Sequence, residues 1–249
     1  MNLETVRNFR DIGGIPTKGH GMIRQGVVYR SANPDSICKE DLIRLRELNI
    51  RTVVDLRAEY EIKKQRRLVD HAVTLSLPLD FQKTTRERIK PYLYKKGTEK
   101  ILADISNQLY MDILDASAPA FRHIAELLSS EEGTPLLIHC YAGKDRTGII
   151  VALILLALGT DRQFIINDFM KSNDALLPYF KRRLLIRKII TFGFFPTDRM
   201  LQVITVKQRN IDSVIDRVNK HYGGIEGYLA SAGFDISSMK DLREKLCTG

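Results

Sequence analysis

Tryptophan is absent from the 249-residue chain, and cysteine is scarce. The missing tryptophan excludes any catalytic loop that requires an indole side chain. Three cysteines, Cys38, Cys140 and Cys247, are too few and too far apart in sequence for a disulfide framework. Their odd number predicts free thiols in a reducing compartment or one working thiol, so Cys38 and Cys247 are interpreted as bystanders.

Long apolar runs are missing as well. The longest, residues 149–158, has ten residues, whereas a bilayer span needs roughly 18 or more. The N-terminus begins Met-Asn-Leu-Glu-Thr-Val-Arg and has no apolar core, which argues against a cleaved secretory signal. The sequence therefore predicts a cytoplasmic protein without stable membrane insertion, although signal-free export would leave no trace.

Basic residues are in excess, with 39 Lys and Arg against 30 Asp and Glu, so the formal net charge is +9. This excess predicts an anionic partner, such as a phosphate compound, a nucleic acid or an anionic lipid surface. Nucleic acid is disfavoured, because no recognised binding motif accompanies the charge.

Apolar periodicity indicates strands and helices in alternation, followed by helices alone. The predicted strands are 52–56, 73–79 and 135–139. The predicted helices are 37–49, 101–113, 121–128, 147–158, 161–171, 174–191, 198–221, 224–232 and 237–246, with 57–71 as a helix or loop. This order predicts one α/β domain over 1–249, with a central sheet, a lid-like insertion at about 80–117 and a helical extension at about 160–249.

The segment most informative about chemistry is 139–148, which reads His-Cys-Tyr-Ala-Gly-Lys-Asp-Arg-Thr-Gly between a buried strand and a buried helix. Such a turn gathers backbone N–H groups and the positive end of a helix dipole, which makes an anion site. Five residues separate Cys140 from Arg146, enough to curl around a tetrahedral phosphate that Arg146 binds through two parallel hydrogen bonds. Gly143 permits the tight backbone, and the same groups stabilise a nucleophilic thiolate at Cys140.

Other interpretations of this loop fail on its residues. A nucleotide-binding P-loop needs Gly at the place of Ile138 and Ser or Thr at the place of Asp145. A metal site needs further ligands, but only His139 is adjacent, and its side chain is expected on the opposite side of the strand. A buried structural cysteine explains neither Arg146 nor Thr147.

The pattern His139-Cys140-x-x-Gly143-x-x-Arg146-Thr147-Gly148 resembles the signature loop of the cysteine-dependent protein tyrosine phosphatases. The Lys-Asp variant resembles the bacterial and fungal tyrosine phosphatase-like group, whose members act on phosphotyrosine, phosphoserine/threonine or phosphoinositides. Further matches fall in the expected order, at 8–14 (Asn-Phe-Arg-Asp-Ile-Gly-Gly), 28–31, 54–57 and 221–229.

The resemblance implies a dual-specificity-type fold, a central mixed sheet flanked by helices, and hydrolysis of phosphomonoesters through a phosphocysteine at Cys140. It implies that Arg146 stabilises charge, that Thr147 bonds the sulfur and that His139 orients the loop. No metal or cofactor is implied, and inorganic phosphate is the product. The residues that contact substrate are expected to be Tyr141, Ala142, Gly143, Lys144 and Thr147.

The general acid stays open among three carboxyl groups. The usual Trp-Pro-Asp loop cannot exist here, so the candidates are Asp145 inside the signature loop, Asp80 at a strand end, and Asp55. The Lys-Asp pair favours Asp145, and a structural bond to the loop is the favoured role of Asp55.

The resemblance favours a phosphotyrosine protein as substrate, with phosphoserine/threonine and phosphoinositide activity beside it, and a phosphoinositide-selective phosphatase is the alternative. Lys144 and the basic segment 83–100 suit an inositol phosphate headgroup, but the same charges suit an ordinary surface over a phosphorylated protein. Residues 80–117 and parts of 174–200 are expected to cover the pocket. Lys181, Arg182, Arg183, Arg187 and Lys188 are interpreted as one helix face. A rhodanese-type sulfurtransferase and a silent phosphate-binding module are the alternative functions.

Overall fold

A five-stranded mixed sheet forms the centre of the protein in a computed structural model that describes residues 3–62, 72–130 and 132–249, without the side chains of 82–85. The strands are β1 (Arg10–Asp11), β2 (Val28–Ser31), β3 (Thr52–Asp55), β4 (Val73–Ser76) and β5 (Leu136–His139). Their spatial order is β1-β2-β5-β3-β4, and only the β1–β2 pair is antiparallel. The predicted α/β fold with a mixed sheet is thereby confirmed.

Helices cover both faces of this sheet. They are α1 (Lys39–Glu47), α2 (Gln82–Leu93), α3 (Glu99–Ser129), α4 (Arg146–Ala157), α5 (Arg162–Ile190), α6 (Thr197–Ile204), α7 (Gln208–His221), α8 (Ile225–Ser231) and α9 (Met239–Leu246). Two 3₁₀ turns lie at Glu59–Glu61 and Ile236–Ser238. Among the described residues, no helix is both long enough and apolar enough to cross a membrane.

Alternation along the strands builds two apolar layers. Val53 and Leu137 pack with Leu45 of α1 on one face, whereas Val54 and Ile138 belong to the larger core on the other. Helix α4 lies inside that larger core and is buried almost all round, which explains its uniformly apolar sequence. Strand β5 lies between β2 and β3, and its carboxyl end leads through a short loop into the N-terminus of α4.

Two pairs of predicted helices are each one continuous helix. The predicted helices 101–113 and 121–128 form α3, and 161–171 and 174–191 form α5. Pro119 and Pro178 lie within these helices and cost each a backbone hydrogen bond. Buried residues continue on the same face through Pro119, so tertiary packing outweighs that loss.

The prediction of one helix over 198–221 was wrong, because the structure divides this segment into two helices, α6 and α7. The Asn173 side chain donates to the Val206 carbonyl at 2.9 Å and accepts from the Val206 amide at 3.1 Å. These two bonds satisfy the backbone outside a helix. The segment 57–71 holds the 3₁₀ turn at its start, and 63–71 lie outside the described residues.

The strand predicted at 73–79 ends earlier, at Ser76, and Pro78 follows without an amide proton for the ladder. Cys38 also has a use that its interpretation as a bystander missed. Its sulfur accepts a hydrogen bond from the Asp41 amide at 3.4 Å and so caps the N-terminus of α1.

Truncation of the buried helix tests this packing. We expect Leu153→Ala in α4 to lower the free energy of unfolding by about 2–5 kcal/mol, because Leu153 is fully buried and leaves a cavity. Leu185→Ala removes the same atoms from an exposed helical position and is expected to change it by less than about 0.5 kcal/mol. Urea denaturation measures both, and equal effects would contradict the described core.

Candidate active site

The loop between β5 and α4 places a cysteine under a positive helix end. Strand β5 ends at His139, Cys140 follows directly, and α4 begins at Arg146. Cys140 is only 2% exposed and lies in the lining of a large pocket. Backbone amides at the α4 N-terminus and the Arg146 guanidinium both favour negative charge at this point.

Two carbonyl groups of the loop, those of Tyr141 and Gly143, accept hydrogen bonds from residues outside the described pocket lining. The Gly143 carbonyl accepts hydrogen bonds from Asn8 Nδ2 at 2.7 Å and Arg30 Nη2 at 2.8 Å. The Tyr141 carbonyl accepts from the Asn33 amide at 3.1 Å. Since the N–H of a peptide unit points opposite to its carbonyl, this arrangement turns loop N–H groups towards the pocket, as anion binding requires.

Gly143 cannot be replaced without moving this loop. Its φ of +66° lies in the left-handed region that favours glycine. A Cβ atom there would also stand 2.2 Å from the carbonyl oxygen of Ser31, which belongs to β2. The glycine thus lets the loop lie directly against the sheet.

A buried ion cluster holds the outer side of the loop. Arg30 is fully buried, and its Nη1 lies 2.5 Å from Asp168 Oδ2, while Arg10 Nε lies 2.7 Å from Asp168 Oδ1. Burial and the charge of Arg10 lower the pKa of Arg30 to about 10. Burial alone would raise the pKa of Asp168, but the two arginines outweigh it and lower that pKa.

Arg146 is oriented by Glu61. Its Nη1 and Nη2 lie 2.5 and 2.9 Å from the two carboxylate oxygens of Glu61, a bidentate pair. Nη1 also donates to the carbonyls of Leu56 and Leu79. Burial acts to lower the pKa of Arg146, but its hydrogen bonds to Glu61 and the charge of that carboxylate raise it overall, so the side chain stays charged.

Asp55 and His139 lie behind the loop, on the α1 side of the sheet. Arg57 donates to Asp55 at 2.7 to 3.0 Å, and His139 Nδ1 lies 3.8 Å from Asp55 Oδ1. Burial would raise the pKa of Asp55, but the hydrogen bonds from Arg57 outweigh it and lower that pKa. Burial dominates at His139 and lowers its pKa, which favours the neutral ring. Asp55 is not in the described pocket lining.

The other two acid candidates differ in position. Asp145 lines the pocket, and its carboxylate accepts from Tyr110 Oη at 2.5 Å and from Lys144 Nζ at 2.7 Å. Burial and the charge of Asp145 raise the pKa of Tyr110 well above its usual value, so Tyr110 remains a donor. Asp80 is exposed, lies outside the described lining and accepts from Tyr60 Oη at 2.5 Å.

Three of the five residues predicted to contact substrate line the pocket, whereas Gly143 and Thr147 lie outside its described lining. Tyr141, Ala142 and Lys144 line the pocket, and Tyr141 is 53% exposed. The hydroxyl oxygen of Thr147 is buried and has no hydrogen-bond partner among the residues that the structure describes.

The pocket above the loop has a volume of about 780 Å³. Helices α2, α5 and α6 and the middle of α3 wall it, so both segments expected to cover it contribute; their role as a lid stays a prediction. Its cationic lining residues are Arg86, Lys90, Lys144, Arg146, Arg183 and Arg187, and its aromatic ones are Phe81, Tyr94, Tyr141, Phe180 and Phe195. Asp145 is the one acidic residue in this described lining.

The basic cluster in α5 does not form a single face, contrary to the interpretation from sequence. Arg183 and Arg187 line the pocket. At 100° per residue, Lys181 and Lys188 lie on roughly the opposite side of the helix. In the part of the chain that is described, no group of three or more His, Cys, Asp or Glu is arranged to hold a metal ion.

Four residues of the site were missed by sequence reasoning: Asn8, Glu61, Tyr110 and Asp168. Asp168 carried a signal, because a charged residue stands between Ile165, Ile166 and Phe169 on a buried helix face. Asn8 belongs to the segment 8–14, which resembles the tyrosine phosphatase-like group, but no role was predicted for it. Glu61 and Tyr110 carried none, since they reach the loop from distant parts of the chain.

Comparison with known proteins gives consistent relatives. A family model described as "Tyrosine phosphatase family" matches residues 1–248. The chain is 28% identical to the triple specificity protein phosphatase PtpB of Mycobacterium tuberculosis, with 95% of each chain covered. It is 27% identical to a predicted tyrosine-protein phosphatase of Cupriavidus necator, over 96% of this chain and 86% of the relative.

Among solved structures, the core catalytic domain of the PP-IP phosphatase SIW14 from S. cerevisiae, in complex with citrate, is a distant match. Its TM-score is 0.35 at 14% identity, with 80% of this chain and 93% of that domain covered.

The buried cluster behind the loop has a testable pH dependence. We expect Asp168→Asn to lower the free energy of unfolding by about 3–5 kcal/mol at neutral pH, because buried Arg30 and partly buried Arg10 lose their counter-charge. The folded-state pKa of Asp168 is depressed, so its contribution is complete above the unfolded pKa of about 3.9 and is lost as pH falls through the folded value. Denaturation of the wild type and of Asp168→Asn from neutral to acidic pH measures this contribution. If their difference in the free energy of unfolding does not shrink in acid, the lowered pKa of Asp168 is contradicted.

Proposed function

The chain belongs to the tyrosine phosphatase family and is a hydrolase, and on that premise we propose that it hydrolyses phosphomonoesters through a phosphocysteine intermediate at Cys140. One observation carries this proposal. Cys140, Asp145 and Arg146 all line one pocket, at the positive end of α4, on a loop whose carbonyls are turned outward. The family match favours this chemistry over a sulfurtransferase or a silent phosphate-binding module.

In the first step, the Cys140 thiolate attacks phosphorus while the bond from phosphorus to the ester oxygen breaks. Loop N–H groups and Arg146 stabilise the charge on the three equatorial phosphoryl oxygens. Glu61 supports this role by holding the guanidinium plane with two bonds, which leaves other donors of Arg146 for the phosphate. Asp145 supplies the proton that the leaving oxygen takes.

In the second step, water attacks the phosphocysteine, and its proton passes to the Asp145 carboxylate, which the first step left ionised. The sulfur leaves as a thiolate, and inorganic phosphate is released. The proposed donor to this thiolate is the buried Thr147 hydroxyl, which has no hydrogen-bond partner, Cys140 included, among the described residues. Tyr110 contributes by fixing the Asp145 carboxylate towards the pocket, since its own hydroxyl stays protonated.

A phosphotyrosine protein is the substrate class that we propose first. The apolar walls from Phe81, Ile89, Leu109 and Phe180 accept an aromatic ring, and exposed Tyr141 stands beside the loop. The pocket volume also admits smaller phosphoserine and phosphothreonine side chains, so activity on these is included in the proposal.

A phosphoinositide is the second candidate, and the cations around the pocket favour it. Arg86 and Lys90 of α2 and Arg183 and Arg187 of α5 line the same pocket. The acidic side chain described there, Asp145, is already paired with Lys144. An inositol ring with additional phosphates would place negative charge next to these four cations.

Replacement of each candidate general acid by asparagine tests the mechanism. We expect Asp145→Asn to flatten the alkaline limb of the pH–rate profile and to lower kcat about 100-fold or more for aryl phosphates with poor leaving groups. Asp80→Asn is the matched variant and is expected to keep both properties, because Asp80 is exposed and outside the described lining. Cys140→Ser provides the blank without phosphate release.

The opposite pattern, with Asp145→Asn unchanged and Asp80→Asn impaired, would assign the acid to Asp80. Cys140-independent phosphate release from every substrate would contradict the phosphocysteine mechanism itself.

Removal of two pocket cations tests the substrate class. If phosphoinositides are substrates, Arg86→Ala with Lys90→Ala should raise their KM about tenfold, because the headgroup phosphates lose two charged contacts. The same double substitution should change the KM for a phosphotyrosine peptide much less. Lys95→Ala with Lys96→Ala removes the same charge from nearby exposed positions outside the described lining, so no change is expected. Equal losses on both substrates would remove the phosphoinositide candidate.

A further inference from the structure

An exposed apolar cluster lies at the far end of α5 and in the turn that follows. We call it the apolar tip: Leu185, Ile186, Ile189, Ile190, Phe192 and Phe194. Phe192 is 91% exposed and Phe194 84%, although these are large aromatic side chains. So many exposed apolar side chains within ten residues mark an interaction surface rather than scattered surface positions.

The helical period arranges the tip as one outward face. At 100° per residue, Leu185, Ile189, Ile186 and Ile190 cover a sector of about 140°. Leu184 is buried and lies on the other side of the helix, so the apolar sector points away from the body of the protein.

Cations stand at both edges of this sector. Lys181 and Lys188 lie along one edge, and Arg183 and Arg187 along the other, while exposed Arg182 lies within the sector. The sequence has no acidic residue between Asp174 and Asp198. An apolar sector flanked by cations with long aliphatic stems is the pattern of helices that lie in the interface of an anionic membrane.

We propose that the apolar tip docks the protein, peripherally and reversibly, onto the anionic phospholipid surface of a membrane. Phe192, Phe194 and the isoleucines would enter the boundary between headgroups and acyl chains, and the flanking cations would bind lipid phosphates. A second copy of this chain fits the surface poorly, because it would bring two clusters of like charge together.

Docking of this kind also positions the pocket. Arg183 and Arg187 line the pocket and border the apolar sector, and Phe195, the residue after the tip, lines it too. The pocket therefore adjoins the proposed membrane contact. This inference goes beyond the proposed function, because it concerns where the enzyme works and not which bond it breaks.

Vesicle co-sedimentation of the full chain tests the proposal. Vesicles of phosphatidylcholine with phosphatidylserine should retain the protein, those of phosphatidylcholine alone should retain much less, and added salt should release it. Neither lipid carries a phosphomonoester, so the result does not depend on the proposed catalytic function. Failure to bind the anionic vesicles at low salt would overturn the proposal.

Two tip variants and one matched control locate the contact. Phe192→Ser with Phe194→Ser, and separately Lys181→Glu with Lys188→Glu, are each expected to lower the vesicle partition coefficient about tenfold or more. The control, Ile43→Ser with Lys39→Glu, makes the same kinds of change at exposed positions of α1 outside the described pocket lining and should bind as the wild type does.

Hydrolysis of soluble para-nitrophenyl phosphate should stay within about twofold in all three variants, which shows that they are folded. Equal loss of vesicle binding in the control, or none in the tip variants, would refute the tip as the contact. Sedimentation velocity tests whether a second copy of the chain binds the tip instead. If the wild type forms a dimer that the tip variants abolish, and the wild type does not bind vesicles, the surface belongs to a second copy.

Discussion

The carbonyl of Gly143 is held away from the pocket, and the arrangement of the site depends on that one constraint. Asn8 and Arg30 hold it, and only a residue without a Cβ fits there against the Ser31 carbonyl. Because the carbonyls are satisfied on the outer side, loop N–H groups are left facing the pocket beside Cys140. A loop of the same residues with its carbonyls turned inward would repel a phosphate.

Keeping this constraint places charged groups in the interior. Arg30 and Asp168 are almost completely buried, and the desolvation of each is offset by the other and by Arg10. Such a cluster is seldom the most stable packing, but removal of one member leaves an uncompensated charge. It joins the N-terminal segment, β2 and α5 to the loop, so three distant parts of the chain must fold together before the anion site exists.

The walls of the pocket are built from different kinds of side chain and contact than its floor. The floor is built from buried polar contacts, among them those of Arg30 on β2 with Asp168 and with the Gly143 carbonyl. Helices α2, α5 and α6 wall it with apolar and cationic side chains, and α5 then extends to the exposed apolar tip. These outer helices therefore carry the side chains on which the proposed substrate selectivity and membrane contact depend, whereas the loop between β5 and α4 carries the residues of the proposed chemistry.

The sequence by itself determined the strand–loop–helix unit around Cys140 and an α/β domain with a central sheet, because these follow from local periodicity. The mixed sheet and a site position for Asp145 were implied by the family resemblance of a ten-residue motif. It misplaced the ends of α3, α5 and α6, where packing around Pro119 and the Asn173 side chain outweighs local signals. Only the tertiary structure decided the partners of the loop. Glu61, Tyr110 and Asp168 act across long sequence separations, and no local pattern encodes which distant side chain will meet a given backbone carbonyl or guanidinium group.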